Sequence, residues 1–244
     1  MKRISILIIS IVFAAFSLML LTSGRPASQK LVREKPDMEA IKAAVNDPAS
    51  KYYYPKLMKL FETRDTAMTH DQFRHLYLGY LFQEDYNPYR RSEYSSKVEE
   101  LYYRDKHTHA ECDTIIHYAE LSLKDDPFDL RQMSFLIYAY REKQKNNLAN
   151  IWQYKLNHIL EAIVSTGTGL DEENAWIIIN PQHEYNLLNF QDYIVKSHED
   201  RPPYYDYITV ESASADKKSP ASGFYFNILY MLQEYYRKFP APKE

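Results

Sequence analysis

The chain has 244 residues, 45% of them hydrophobic and 26% charged, with a formal net charge of −3. That is a globular composition, long enough for one large domain or two small ones, and its charge gives no electrostatic reason to expect nucleic acid as a partner. Only 5 glycines and 1 cysteine occur, which leaves little for glycine-rich phosphate loops and excludes both an intrachain disulfide and a zinc site built on several thiolates.

The chain opens with Met1, Lys2 and Arg3, then an apolar run from Ile4 to Leu21 broken only by Ser5, Ser10 and Ser17, then Thr22-Ser23-Gly24. This is the layout of a secretory signal peptide, and the run also reaches the length of a membrane span, so residues 1–24 read either as a cleaved leader or as an N-terminal anchor. Both readings export the remainder, to the periplasm or outside the cell, and confine any membrane contact to this segment. Leu20 to Gly24 resemble a lipoprotein box, but Arg25 stands where the lipid-bearing cysteine is required. In such a compartment the lone thiol, Cys112, is expected to be buried. Residues 25–35 lack apolar periodicity and read as a tether.

Residues 36–169 carry dense helix signals. Met38, Ile41 and Val45 recur at helical spacing until Asn46-Asp47-Pro48, and Pro55 opens a second stripe with Leu57, Leu60 and Phe61. Thr69 and Gln72 form a capping box before Phe73, Leu76, Tyr77, Tyr80 and Leu81, and Asn87-Pro88 marks a turn. Ser92 to Arg104 predict another helix with Val98, Leu101 and Tyr102 inward. Thr108 and Glu111 form a second capping box, for a helix that closes at Asp125-Asp126-Pro127. Leu130 to Lys145 and Leu148 to about Val164 complete three antiparallel helices, halted by Thr166-Gly167-Thr168-Gly169. Tyr118 to Pro127 resemble the end of a tetratricopeptide repeat, without a second copy at the repeat period.

Residues 170–244 change texture. Trp176 to Ile179, Tyr205 to Val210 and Phe224 to Ile228 predict strands; Leu187 to Phe190 fit a strand or a short helix; Leu229 to Phe239 predict a helix with Leu232, Tyr235, Tyr236 and Phe239 near one stripe. The fold class is then α+β: an N-terminal helical, tetratricopeptide-like bundle with a small C-terminal antiparallel sheet packed on it.

Several motifs occur in order: Tyr52-Tyr53-Tyr54-Pro55, Arg74-His75-Leu76-Tyr77 running to Gln83, Asp85-Tyr86-Asn87-Pro88-Tyr89, Asp126-Pro127-Phe128-Asp129, His183-Glu184-Tyr185, Tyr205-Asp206-Tyr207 and Phe224-Tyr225-Phe226-Asn227. Together they resemble an uncharacterised family of exported Bacteroidota proteins, the domain of unknown function DUF4919. The resemblance implies an exported α+β domain and carries over no activity, cofactor or catalytic residue.

Candidate chemistry is sparse. His109, Asp113 and His117 share a helix face, but a straight row of side chains does not converge on one ion, and Glu111 is taken by the capping box. His183-Glu184 lacks the second histidine of a zinc peptidase, position 187 being Leu, and His198-Glu199 runs into Arg201-Pro202. No nucleophile motif is present. We therefore assign no catalytic residue, metal or cofactor from the sequence. The unusual feature is 23 tyrosines, whose rings combine an apolar body with a hydrogen-bonding tip. Candidate binding residues are Arg74, Tyr77, Tyr80, Tyr86, Asn87, Tyr89, His183 and Glu184, with Arg74 expected to hold the following loop through Asp85 or Glu84. The leading expectation is a non-enzymatic module that binds an envelope protein or peptide in a helical groove. The alternatives are glycan binding through exposed tyrosines, and an enzyme of unfamiliar mechanism around His183 and Glu184.

Overall fold

The computed structural model describes residues 32–63, 66–104, 106–214 and 221–240. The expected export segment, residues 1–24, and most of the tether lie outside the described residues. No described helix is long and apolar enough to cross a membrane.

Helix α1 (Met38–Asn46) starts where Asp37 accepts the Ala40 N–H at 2.9 Å, and it buries Met38, Ile41 and Val45, the stripe read from the sequence. Helix α2 (Tyr54–Glu62) has Pro55 in its first turn. Helix α3 (His70–Gly79) begins at the Thr69–Gln72 capping box, with both reciprocal bonds formed. It ends against α1 so closely that a Cβ on Gly79 would stand 2.6 Å from Val45 Cγ1. A single 3₁₀ turn, Tyr80–Phe82, follows. Ser95–Tyr103, expected as an α-helix, is 3₁₀. There the Ser95 and Ser96 hydroxyls donate to the carbonyls of Ser92 and Glu93, competing locally with α-helical bonding.

Helices α4 (His109–Asp125), α5 (Leu130–Glu142) and α6 (Asn146–Val164) form the expected antiparallel trio, with Thr108–Glu111 as the capping box of α4. At the turn between α4 and α5, Asp126 accepts the Phe128 N–H and Asp129 caps α5 by accepting from Gln132.

The C-terminal part comprises β1 (Trp176–Ile177), α7 (Gln182–Phe190), β2 (Tyr193–Arg201), β3 (Tyr205–Ser212), β4 (Gly223–Asn227) and α8 (Leu229–Lys238). The sheet order is β1-β4-β3-β2. Contrary to the expected purely antiparallel sheet, β1 lies parallel to β4, because the chain returns to it only after α7 and two strands. Strand β2 is absent from the sequence reading. It is an edge strand, partly covered from Tyr193 to Val195 and exposed from Lys196 onward, so its charged second half lacks strand alternation. Leu187 to Phe190 prove helical. Helix α8 buries Met231 and Glu234, and Tyr236 and Phe239, expected inward, are exposed.

One contiguous core runs from α1 through the helices to the sheet and Met231. A small satellite joins Val98, Cys112, Ile115 and Ala139. Burial, the largest influence, pushes the Cys112 thiol pKa up, which fits an inert structural cysteine.

Candidate functional site

Five of the expected binding residues, Tyr77, Tyr80, Tyr86, His183 and Glu184, are buried in the interior. Tyr77 on α3 is fully buried, and its hydroxyl lies 2.8 Å from His183 Nδ1. On its other side His183 Nε2 lies 2.9 Å from the Phe128 carbonyl oxygen. A carbonyl only accepts, so Nε2 carries the proton and Nδ1 accepts from Tyr77. The Tyr77 hydroxyl in turn accepts the Ile179 N–H at 3.3 Å, and Tyr86 donates to the Ile179 carbonyl at 2.7 Å. Tyr80 is buried against Tyr54, Tyr86 and Phe128. These residues therefore join α3, the α4–α5 turn, the β1 exit and α7, and the polar side-chain atoms of Tyr77, Tyr86 and His183 are all hydrogen-bonded within the fold. Burial pushes the His183 pKa down to about 4, so the ring is neutral at physiological pH.

Arg74 does not reach Asp85 or Glu84. It donates to the carbonyl and hydroxyl of Ser165 at 3.1 and 2.9 Å, and to the Glu34 carbonyl at 2.7 Å. It lies five residues before the end of α3, about 7.5 Å of helix rise from the loop it was expected to hold. Arg90 holds that loop, donating to the carbonyls of Asp85 and Asp125. Asn87 accepts the Tyr89 N–H at 3.0 Å, an Asx turn that presents the Tyr89 ring outward.

That ring belongs to a cluster. Six large hydrophobic side chains are exposed among the described residues, and three of them, Tyr89, Tyr236 and Phe239, make ring contacts to half-buried Tyr235 at centroid distances of 4.9, 5.4 and 5.1 Å. A fourth, Tyr185, packs edge-on to His198 at 6.2 Å. Lys238 pins the end of α8 by donating to the carbonyls of Leu81 and Gln83, while its Nζ stands 4.9 Å over the Tyr86 ring. The charge of Asp206 bears on Tyr89 and on Tyr185. Burial, then Tyr236, Tyr235 and Asp206, push the Tyr89 hydroxyl pKa up; burial, then Glu184 and Asp206, do the same for Tyr185.

Glu184, in the first turn of α7, is 1% exposed, and no described donor reaches its Oε1. Burial first, and then Asp206 beside it, push its carboxyl up to about 10, so it is protonated at neutral pH and hydrogen-bonds to Asp206. His198 Nε2 stands 3.5 Å from Asp206 Oδ2. Asp206 is absent from the candidate site residues read in the sequence, and His198 figures there only beside Glu199, in a pair set aside. Asp206 carried a signal, because it shares a strand face with Ile208 and Val210, both buried, and a carboxylate in an inward register demands a partner.

Two groups of histidine and carboxylate converge among the described residues: His70, His158 and Glu161, and Glu184, His198 and Asp206. His109, Asp113 and His117 stay on an exposed face of α4, where Asp113 pairs with Lys143. A separate hollow of about 210 Å³ opens beside α6, lined by residues that include Tyr140, Leu148, Trp152 and Lys155.

Among the described residues, eight α-helices backed by a four-stranded mixed sheet define an α+β domain that carries a cluster of exposed aromatic rings. The family model described as domain of unknown function (DUF4919) matches residues 39–237, and the chain belongs to that family. No curated protein and no solved structure matches it.

Proposed function

We propose that this domain is a non-enzymatic carbohydrate-binding protein of the cell envelope, using the ring cluster of Tyr89, Tyr235, Tyr236 and Phe239. The observation that carries this reading is the gathering of three of the six large hydrophobic side chains exposed among the described residues around one half-buried tyrosine. Exposed rings of this kind stack on the apolar faces of sugar rings, and their hydroxyl tips can hydrogen-bond sugar hydroxyls. Export is supported by the basic start and apolar run of residues 1–24. The enzyme reading around His183 and Glu184 is weakened, since both His183 nitrogens are committed inside the core.

The test is affinity electrophoresis of the full chain through gels containing plant and host polysaccharides, run with a chelator. At least one polysaccharide should retard the wild type, and Tyr89→Ala and Tyr236→Ala should each weaken retention by about tenfold, with Tm changed by no more than about 2 °C. Retention by none of the panel, or equal retention of both variants, sinks the reading. The helical groove keeps a second reading, binding of a short apolar peptide, because half-buried Trp152 and Leu148 line the hollow beside α6. A peptide library that quenched Trp152 emission while leaving sugar retention intact would favour it.

A further inference from the structure

Three carboxyl groups and one imidazole meet where the first turn of α7 approaches the β2–β3 hairpin. The ligand atoms of Glu184, His198 and Asp206 lie within 4.8 Å of one another. His198 Nε2 is 3.5 Å from Asp206 Oδ2 and 3.8 Å from Asp200 Oδ1. Two ordinary rules of packing are broken at this spot. Asp200 and Asp206 are directly opposite across the strand pair, where like charges destabilise a hairpin. Glu184 is almost wholly buried, its Oε1 meets no donor, and the charged groups that bear on it, Asp206 and Asp200, are themselves acidic. Local conflicts of this kind, concentrated on one point, are expected where a ligand resolves them.

We propose that this cluster is a divalent transition-metal site, holding Zn²⁺ through a carboxylate oxygen of Glu184, a carboxylate oxygen of Asp206 and Nε2 of His198, with Asp200 in reach as a fourth ligand. Zinc bonds oxygen and imidazole nitrogen at about 2.0–2.2 Å, which places tetrahedral ligands about 3.3–3.6 Å apart. The separation of His198 from Asp206 already has that value. The ligands come from three elements, α7, β2 and β3, so they converge on a point as the row on α4 does not. One side is open: Glu184 and Asp206 form a buried floor, whereas His198 is about a third exposed and Asp200 lies in solvent. An ion enters from that side, where its fourth position is taken by Asp200 or by water. The imidazole selects against Ca²⁺ and Mg²⁺, whose shells are built from oxygen.

The test is titration calorimetry of the full, chelator-stripped chain with Zn²⁺, and separately with Ca²⁺, without sugar, so that its outcome is independent of the polysaccharide experiment. Wild type should bind one Zn²⁺ per chain and show no Ca²⁺ heat. Glu184→Gln, which keeps the shape of the buried side chain, and His198→Ala, at a partly exposed position, should each weaken Zn²⁺ by at least about tenfold. Glu161→Gln, in the other histidine–carboxylate group, should leave it unchanged. Circular dichroism confirms folding, and His198→Ala decides the matter if Glu184→Gln does not fold. Absence of Zn²⁺ binding to the wild type, undiminished binding in His198→Ala, or loss of binding only in Glu161→Gln would each overturn the proposal.

Discussion

Removing one oxygen atom from Tyr77 tests whether the buried tyrosines hold the two parts of the fold together. In Tyr77→Phe the ring remains, with its edge contact to Phe128, and only the hydroxyl is lost. Two groups then lose their partners in the interior: His183 Nδ1, at 2.8 Å from that hydroxyl, and the Ile179 N–H, at 3.3 Å. A buried polar group left unsatisfied costs about 1–3 kcal/mol, and the longer Ile179 bond belongs at the low end, so the expected loss is about 2–4 kcal/mol. For a domain of this size that lowers Tm by about 5–15 °C. Urea denaturation followed by circular dichroism should show a lower midpoint at unchanged slope, because the hydrophobic surface exposed on unfolding is the same. Tyr86→Phe is the internal comparison: it deprives only the Ile179 carbonyl, at 2.7 Å, and should cost about 1–2 kcal/mol. If Tyr77→Phe lay within about 0.5 kcal/mol of wild type, the network would carry no stability, and the assignment of Tyr77 and His183 to structure would be wrong.

The same interior predicts two opposing pH effects. The His183 pKa is depressed to about 4 in the folded chain, below the unfolded value of about 6.5, so its contribution is intact above that value and is lost, by up to about 3 kcal/mol, as pH falls toward 4. Its imidazole resonances should stay at their neutral positions until about pH 4 in an NMR titration, and titration near 6.5 would contradict the burial. Asp126 runs the other way: burial first, and then Asp129, raise it from 3.8 to about 7, so its contribution is complete below 3.8 and is lost as pH rises through 7. Asp126→Asn keeps an oxygen for the Phe128 N–H and should gain up to about 4 kcal/mol on wild type between acid and about pH 8; a difference independent of pH would show that Asp126 is not buried. Gly79→Ala should cost about 1–3 kcal/mol by forcing a Cβ to within 2.6 Å of Val45, and Val45→Ala in that background should recover part of the loss in a double-mutant cycle.

Local chemistry made much of the fold legible. The two capping boxes, Thr69–Gln72 and Thr108–Glu111, start helices where their spacing says they must, since each pairs a side-chain acceptor with an orphan backbone donor within four residues. The stop at Asp125-Asp126-Pro127 and the alternation of Tyr205 to Val210 were equally local. What escaped depends on partners distant in the chain. Strand β2 has ordinary propensity only in Tyr193-Ile194-Val195, and the rest of it is held by pairing with β3. The parallel pairing of β1 with β4 joins residues about fifty positions apart, and no periodicity in either segment records it. Side-chain direction escaped as well. Helix α8 turns Glu234 inward, where Arg237 donates to it at 2.7 Å, and leaves Tyr236 and Phe239 in solvent. A stripe containing both apolar residues and a glutamate does not reveal which side the remainder of the fold covers.

His183 and Glu184 show the same limit within two residues. As adjacent histidine and glutamate they suggest an acid–base dyad. Consecutive residues on a helix, however, point about 100° apart, and α7 lies between two different neighbours. His183 turns toward α3 and the α4–α5 turn, where both its nitrogens are used. Glu184 turns toward the hairpin, where it meets Asp206. The first residue is therefore neutral, fully bonded and insensitive to solvent; the second has a buried oxygen with no donor and acidic neighbours. Stability acting through the one and ligand binding through the other should separate by mutation: changes at His183 lower Tm, and Glu184→Gln acts on metal affinity. One turn of helix thus serves as a joint on one face and as the floor of a site on the other, which accounts for the pair without any reaction between its members.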